Sequence, residues 1–90
     1  VKCSDQVSAK LSALPPEVKL AIRRALRDVE AGRKRKVHAL RAPLVGFSTL
    51  AVGRWRVVHR WHAGELIAEY LDDRSDDYRR AEAKLGNSED

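Results

Sequence analysis

The run Ala51-Val52-Gly53-Arg54-Trp55-Arg56-Val57-Val58-His59 decides how this chain folds. β-Branched and aromatic residues flank a Gly-Arg pair, the pattern of two antiparallel strands joined by a two-residue turn. Working outward, Gly46 to Val52, Trp55 to His62 and Glu65 to Asp72 read as three antiparallel strands, with a second tight turn at Ala63-Gly64. The first turn sets the register. Trp55 lies opposite Val52, Arg56 opposite Ala51, Val57 opposite Leu50 and Val58 opposite Thr49. Paired residues share a face. One face then carries Leu50, Val52, Trp55, Val57, His59 and Trp61, joined across the second turn by Leu66, Ala68 and Tyr70. The other carries Thr49, Ala51, Arg56, Val58 and Arg60, joined by Ile67, Glu69 and Leu71.

The partition assigns work to each face. The apolar face supplies the bulk needed to dock helices, so His59 on it reads as a packed core residue and the two tryptophans as core or rim. The other face presents two guanidinium groups, which suit phosphate oxygens. Glu69 stands among them, a proton acceptor on one reading and an ion-pair partner on the favoured one. His62 lies six residues from Arg56, about 20 Å along an extended strand, so the two cannot serve one phosphate.

Upstream, the period lengthens to that of helices. Val1 to Ser4 allows a brief first strand. Asp5 can cap a short helix in which Val7, Leu11 and Leu14 share a face. Pro15-Pro16 ends it and opens the next helix, since proline suits a first helical turn. There Val18, Ile22, Ala25, Leu26 and Val29 form an apolar stripe, and Gly32 marks the stop. Two antiparallel helices joined by a proline turn follow. Arg33-Lys34-Arg35-Lys36 is a basic run, either a solvated loop or a phosphate-contacting patch. Residues 76–85 read as a short helix capped by Asp76 or Ser75, and residues 86–90 as a flexible polar tail.

Composition narrows the classes. Ninety residues suit a single domain, here residues 1–85, with a small core. One cysteine excludes an internal disulfide and fits a reducing compartment. No CxxC or HExxH spacing suggests a metal site, and no cofactor is expected. No apolar run approaches the roughly 20 residues of a membrane span, and no signal-peptide pattern opens the chain. A soluble, cytoplasmic protein is the expectation. Residues 1–62 hold 14 Lys/Arg against 4 Asp/Glu, whereas residues 63–90 hold 4 against 9. A basic body with an acidic end points to an anionic partner, nucleic acid first.

The order of parts resembles the RelE/ParE toxin superfamily of bacterial type II toxin–antitoxin systems. Leu14-Pro15-Pro16-Glu17-Val18 resembles its helix-joining turn. Leu40-Arg41, with Ala42 in place of the usual glycine, resembles the approach to its second strand. Val52 to His59 resembles its Arg-Val-Gly-x-Tyr-Arg-Val-Val-Tyr hairpin, with tryptophan and histidine replacing the tyrosines. Asp73-Arg74-Ser75-Asp76-Asp77-Tyr78 resembles its closing arginine–tyrosine segment. The likeness spans roughly residues 1–80.

This resemblance implies an α+β fold: a small, twisted, mainly antiparallel sheet, an N-terminal helix hairpin on one face and a short C-terminal helix. The first strand would lie beside the C-terminal strands. It implies a toxin that a cognate antitoxin neutralises. RelE-like members are metal-independent endoribonucleases cutting mRNA on the ribosome, whereas ParE-like members act on DNA gyrase. A catalytically inactive antitoxin-binding homologue is the third possibility. Carried over by position, Arg56 and Arg74 match the phosphate-clamping arginines. Tyr78 matches the tyrosine that moves a proton or orients the 2′-hydroxyl. Arg33, Lys34, Arg35, Lys36, Arg54 and Arg60 are the expected RNA-binding cations. Thr49 and Ala51 stand where RelE-like members often carry lysine or arginine, which favours the ParE-like, gyrase-binding reading.

Overall fold

The structure is a computed structural model and describes residues 1–73 and 79–85. Strand β1 (Lys2–Cys3) leads into helices α1 (Asp5–Ser12) and α2 (Pro16–Glu30). Strands β2 (Val37–Ala39), β3 (Ser48–Val52), β4 (Trp55–His62) and β5 (Glu65–Asp73) follow, then helix α3 (Arg79–Leu85). The sheet order is β1-β5-β4-β3-β2. β1 runs parallel to β5, and every other pair is antiparallel. The α+β architecture is therefore the one expected.

Local chemistry sets the element ends. Ser4, rather than Asp5, caps α1: its hydroxyl accepts from the Val7 N–H at 3.2 Å. Pro16 occupies the first turn of α2, where its missing N–H costs nothing. Gly53 opens the first hairpin turn at φ 59°, a conformation that favours glycine. The β3–β4 register is the expected one at all four pairs, from Val52 opposite Trp55 to Thr49 opposite Val58.

The element absent from the sequence reading is β2. Val37, His38 and Ala39 pair with Leu50, Thr49 and Ser48 and form the sheet edge. Three exposed residues after a basic run show too little alternation to announce a strand.

The helix hairpin covers one face. Val7 and Leu11 from α1 and Ile22, Ala25 and Leu26 from α2 pack on Leu50, Val57, Leu66, Ala68 and Leu71. A second, smaller core lies on the opposite face, where Ala81 and Leu85 of α3 and Leu44 of the β2–β3 connection close over Val58. Leu40, Phe47 and Tyr70 border it. That face is therefore not an open surface along its whole length.

A β-bulge corrects two facial assignments. Val58 pairs with Tyr70 and His59 with Ala68, so Glu69 is an extra residue on β5. Strict alternation places Tyr70 on the helix face and Leu71 opposite. The bulge exchanges them: Leu71 is buried under the helices, and Tyr70 lies with Val58 on the second face. Side chains from the chain's start hold this edge. The Ser4 hydroxyl donates to the Glu69 carbonyl at 2.7 Å. The Gln6 amide donates to the Leu71 carbonyl and its oxygen accepts the Leu71 N–H, both at 2.8 Å. Gln6 thus continues, with one side chain, the ladder that β1 begins.

Candidate functional site

Strand β4 brings Arg56, Val58 and Arg60 to the second face in regular alternation. Their surroundings differ. Val58 is buried under the second core and divides the face into two ends. Arg56 belongs to the end beside the Gly53-Arg54 turn, and Arg60 to the end beside α3.

Arg56 is half-buried and is held by carbonyls. Its Nη1 donates to Gly53 O at 2.7 Å and to Trp55 O at 2.9 Å. Carbonyls orient a guanidinium without cancelling its charge, so the cation stays available to an anion. Across the ladders Arg56 faces Ala51 on β3 and Asp72 on β5. The Asp72 carboxylate accepts from the Asp73 N–H at 2.8 Å and the Tyr70 hydroxyl at 3.3 Å. Lys10 of α1 approaches it at 4.0 Å. Thr49 is buried and Ala51 half-buried, so neither adds charge to this end.

The basic run lies alongside. Lys34, Arg35 and Lys36 line an open groove with Ala51, Val52 and Gly53 of the hairpin. Two of the run's four cations are engaged. Arg33 and Arg35 both pair with Asp28 of α2, at 3.0 and 2.8 Å. The Arg35 guanidinium first, then that of Arg33, holds the Asp28 carboxyl below its usual value. Lys34 and Lys36 make no ion pair among the described residues.

The other named arginines meet acids. Arg54 pairs with Asp73, its Nε donating at 2.7 Å, and lies 5.9 Å from the Trp55 ring centre. Arg60 pairs with Glu69 at 2.5 Å, the partnership the sequence suggests. With Trp61, Val45, Phe47 and Lys84 that pair lines a second open groove against α3. Trp61 is 51 % exposed and lies at the rim rather than in the helix-side core, one of the two places its parity allows. It sits near the strand's end, beside the groove that α3 borders. Arg74 and Tyr78 lie outside the described residues.

His59 is a packing residue, as its parity implies. It is 2 % exposed, and neither ring nitrogen has a hydrogen-bond partner among the described residues. Burial pushes its pKa down, which keeps the ring neutral.

Tyr70 and Asp72 are the members of this site that sequence reasoning missed. Alternation sent Tyr70 to the wrong face, and Asp72 was read only as a strand end. No local signal marks the bulge. Among the described residues, no group of three or more His, Cys, Asp or Glu side chains is placed to hold a metal ion. No described helix is long and apolar enough to cross a membrane.

The fold has solved counterparts. The chain superposes on a structure of the RelB–RelE antitoxin–toxin complex from Methanococcus jannaschii with a TM-score of 0.71 at 12% identity, covering 89% of this chain and 98% of that one. A copper-bound mutant toxin from Helicobacter pylori gives 0.64 at 14% identity, covering 84% and 94%. A YafQ mutant from E. coli gives 0.59 at 15% identity, covering 83% and 92%. No protein-family model and no curated protein matches the sequence. The chain adopts the RelE-like toxin fold, and identities this low carry the fold alone.

Proposed function

We propose that this chain is the toxin of a toxin–antitoxin pair and acts as a metal-independent endoribonuclease on ribosome-bound mRNA. The observation that carries the reading is the state of Arg56. Its guanidinium is oriented by two carbonyls, beside a groove where Lys34 and Lys36 have no ion pair among the described residues. Phosphate would find there one cation held by carbonyls and two lysines without an ion pair among the described residues. The RelE-like fold supports the same reading.

Metal-free RNA cleavage needs three things. A ribose 2′-hydroxyl attacks the adjacent phosphate, so a group must take its proton. Cations must stabilise the extra charge of the five-coordinate state, and the leaving 5′-oxygen must be protonated. Arg56 supplies the second, with Arg74 as a further expected clamp and Tyr78 as an expected proton carrier. A cognate antitoxin would bring an acidic and apolar segment that folds onto the basic body and masks Arg56.

One observation favours a second reading, a ParE-like protein that binds DNA gyrase and cuts nothing. Thr49 and Ala51 are uncharged, and Arg54 and Arg60 are tied to acids. Adding the protein to a translating extract and mapping mRNA ends by primer extension separates the two, with gyrase supercoiling assayed in parallel. Codon-phased cuts that vanish in Arg56→Ala support the ribonuclease. Blocked supercoiling with intact message sinks it in favour of the gyrase reading.

A further inference from the structure

We infer that Tyr70 and Asp72 form a proton relay beside Arg56 that accepts the proton of the attacking 2′-hydroxyl. The inference rests on the ribonuclease reading and gives the base role to described residues, which leaves Tyr78 to orient the 2′-hydroxyl.

Three observations place the pair. The bulge at Glu69 puts Tyr70 and Asp72 on the face that carries Arg56. Asp72 is the direct cross-strand partner of Arg56, which sets their Cβ atoms about 5 Å apart. The Tyr70 hydroxyl donates to Asp72 Oδ2 at 3.3 Å. That is long for an O–H···O bond, and such bonds tighten when substrate closes a site.

The chemistry explains why two groups serve better than one. A phenol with an ordinary pKa near 10 is a poor base because it is rarely ionised at neutral pH. A phenol backed by a carboxylate need not ionise beforehand. As the 2′-oxygen–phosphorus bond forms, the 2′-hydroxyl proton passes to Tyr70 Oη, and the phenolic proton passes to Asp72 Oδ2. The phosphorus–5′-oxygen bond breaks, leaving a 2′,3′-cyclic phosphate, and solvent water protonates the departing 5′-oxygen. Asp72 then returns its proton to solvent. Negative charge moves from the carboxylate to the phosphorane, where the Arg56 guanidinium meets it.

Among the described residues, the charged and titratable groups that face Asp72 include one cation from each of two other elements. Arg56 faces it from β4, Lys10 from α1 at 4.0 Å, and Tyr70 and Asp73 from its own strand. Asp73 is itself paired with Arg54.

The test compares wild type, Tyr70→Phe, Asp72→Asn and Asp72→Glu in the translating extract, measuring initial cleavage rates. Wild type must cut. If it does not, the ribonuclease reading fails before the relay is reached. With wild type active, Tyr70→Phe and Asp72→Asn are each expected to lose about 10²- to 10⁴-fold in rate. Asp72→Glu, which keeps a carboxylate, is expected to cut at least tenfold faster than Asp72→Asn. Cleavage within threefold of wild type in folded Tyr70→Phe or Asp72→Asn overturns the relay. So does a folded Asp72→Glu no faster than Asp72→Asn, because the relay needs the carboxylate itself. Circular dichroism melts identify folded variants. If Asp72→Asn does not fold, Tyr70→Phe decides the matter.

Discussion

The two ends of the sheet's second face are built from the same strand and behave differently. Beside α3, Arg60 is matched by Glu69, and Val58 disappears under Leu44, Ala81 and Leu85. Beside the Gly53-Arg54 turn, Arg56 has carbonyl partners, and two lysines of the basic run stand in an open groove. A count of arginines on β4 treats both ends alike. The difference teaches that charge available to a ligand is charge left over after internal pairing. Surface ion pairs contribute only about 0–1 kcal/mol to stability, but they lower the potential a phosphate meets.

The largest expected effect tests whether the sheet that supports both ends depends on its helix face. Leu71→Ala removes a fully buried side chain under α1 and should cost about 2–5 kcal/mol, read from urea unfolding. A cost below 1 kcal/mol would mean that Leu71 does not belong to that core, and the bulge assignment would fall with it.

Next comes the contrast between the ends. Arg56→Ala should reduce cleavage about 10²- to 10³-fold, since it removes a stabiliser of transition-state charge, with a far smaller change in unfolding free energy. Arg60→Ala, at the acid-matched end, should reduce cleavage less than tenfold. Equal losses in rate would erase the distinction between the two ends.

A smaller effect concerns His59, which lies on the other face and outside the site. Its folded-state pKa is depressed by burial, so below about pH 6.5 the unfolded chain binds a proton that the folded chain refuses. Stability should therefore be pH-independent with respect to this group above that value. It should fall as pH drops, by at most about 1.4 kcal/mol per unit, until the folded-state pKa is passed. His59→Leu should remove this slope and raise stability at pH 7 by about 1 kcal/mol, because it deletes two buried nitrogens that have no partner among the described residues. Melting curves between pH 5 and 8 give both numbers. The Asp28 carboxyl, also depressed, acts in a lower window: its contribution is present above the ordinary carboxylate range and is lost as pH falls through it.

The smallest effect sharpens the view of the open groove. Lys34→Ala and Lys36→Ala should each weaken RNA binding without sequence preference. Each should also reduce the slope of log K against log salt by about 0.7 to 1. Arg33→Ala, whose guanidinium is already committed to Asp28, should change the slope less. Filter binding across a salt series measures all three.

The fold was legible because its signals are local. The Gly53-Arg54 turn sets the β3–β4 register, and the Pro15-Pro16 break separates two helices whose apolar stripes are plain in the sequence. The site was legible in part. Arg56 fell on the correct face, the Arg60–Glu69 pair was foreseeable, and His59 was recognised as packing. Strand β2 and the second core were not, since each depends on what a distant segment covers or leaves uncovered.

By itself, the sequence determined the periodicities, and with them the elements and the pairing of the central hairpin. Side-chain alternation and helical spacing are properties of a chain's immediate neighbours. Tertiary structure alone decided that β5 carries a bulge, that Tyr70 and Asp72 therefore stand on the Arg56 face, and that Arg33, Arg35, Arg54 and Arg60 spend their charge on internal acids. The physical reason is separation along the chain. Ser4 and Gln6 hold the β5 backbone from 65 residues away, and no local pattern records a hydrogen bond made at that distance.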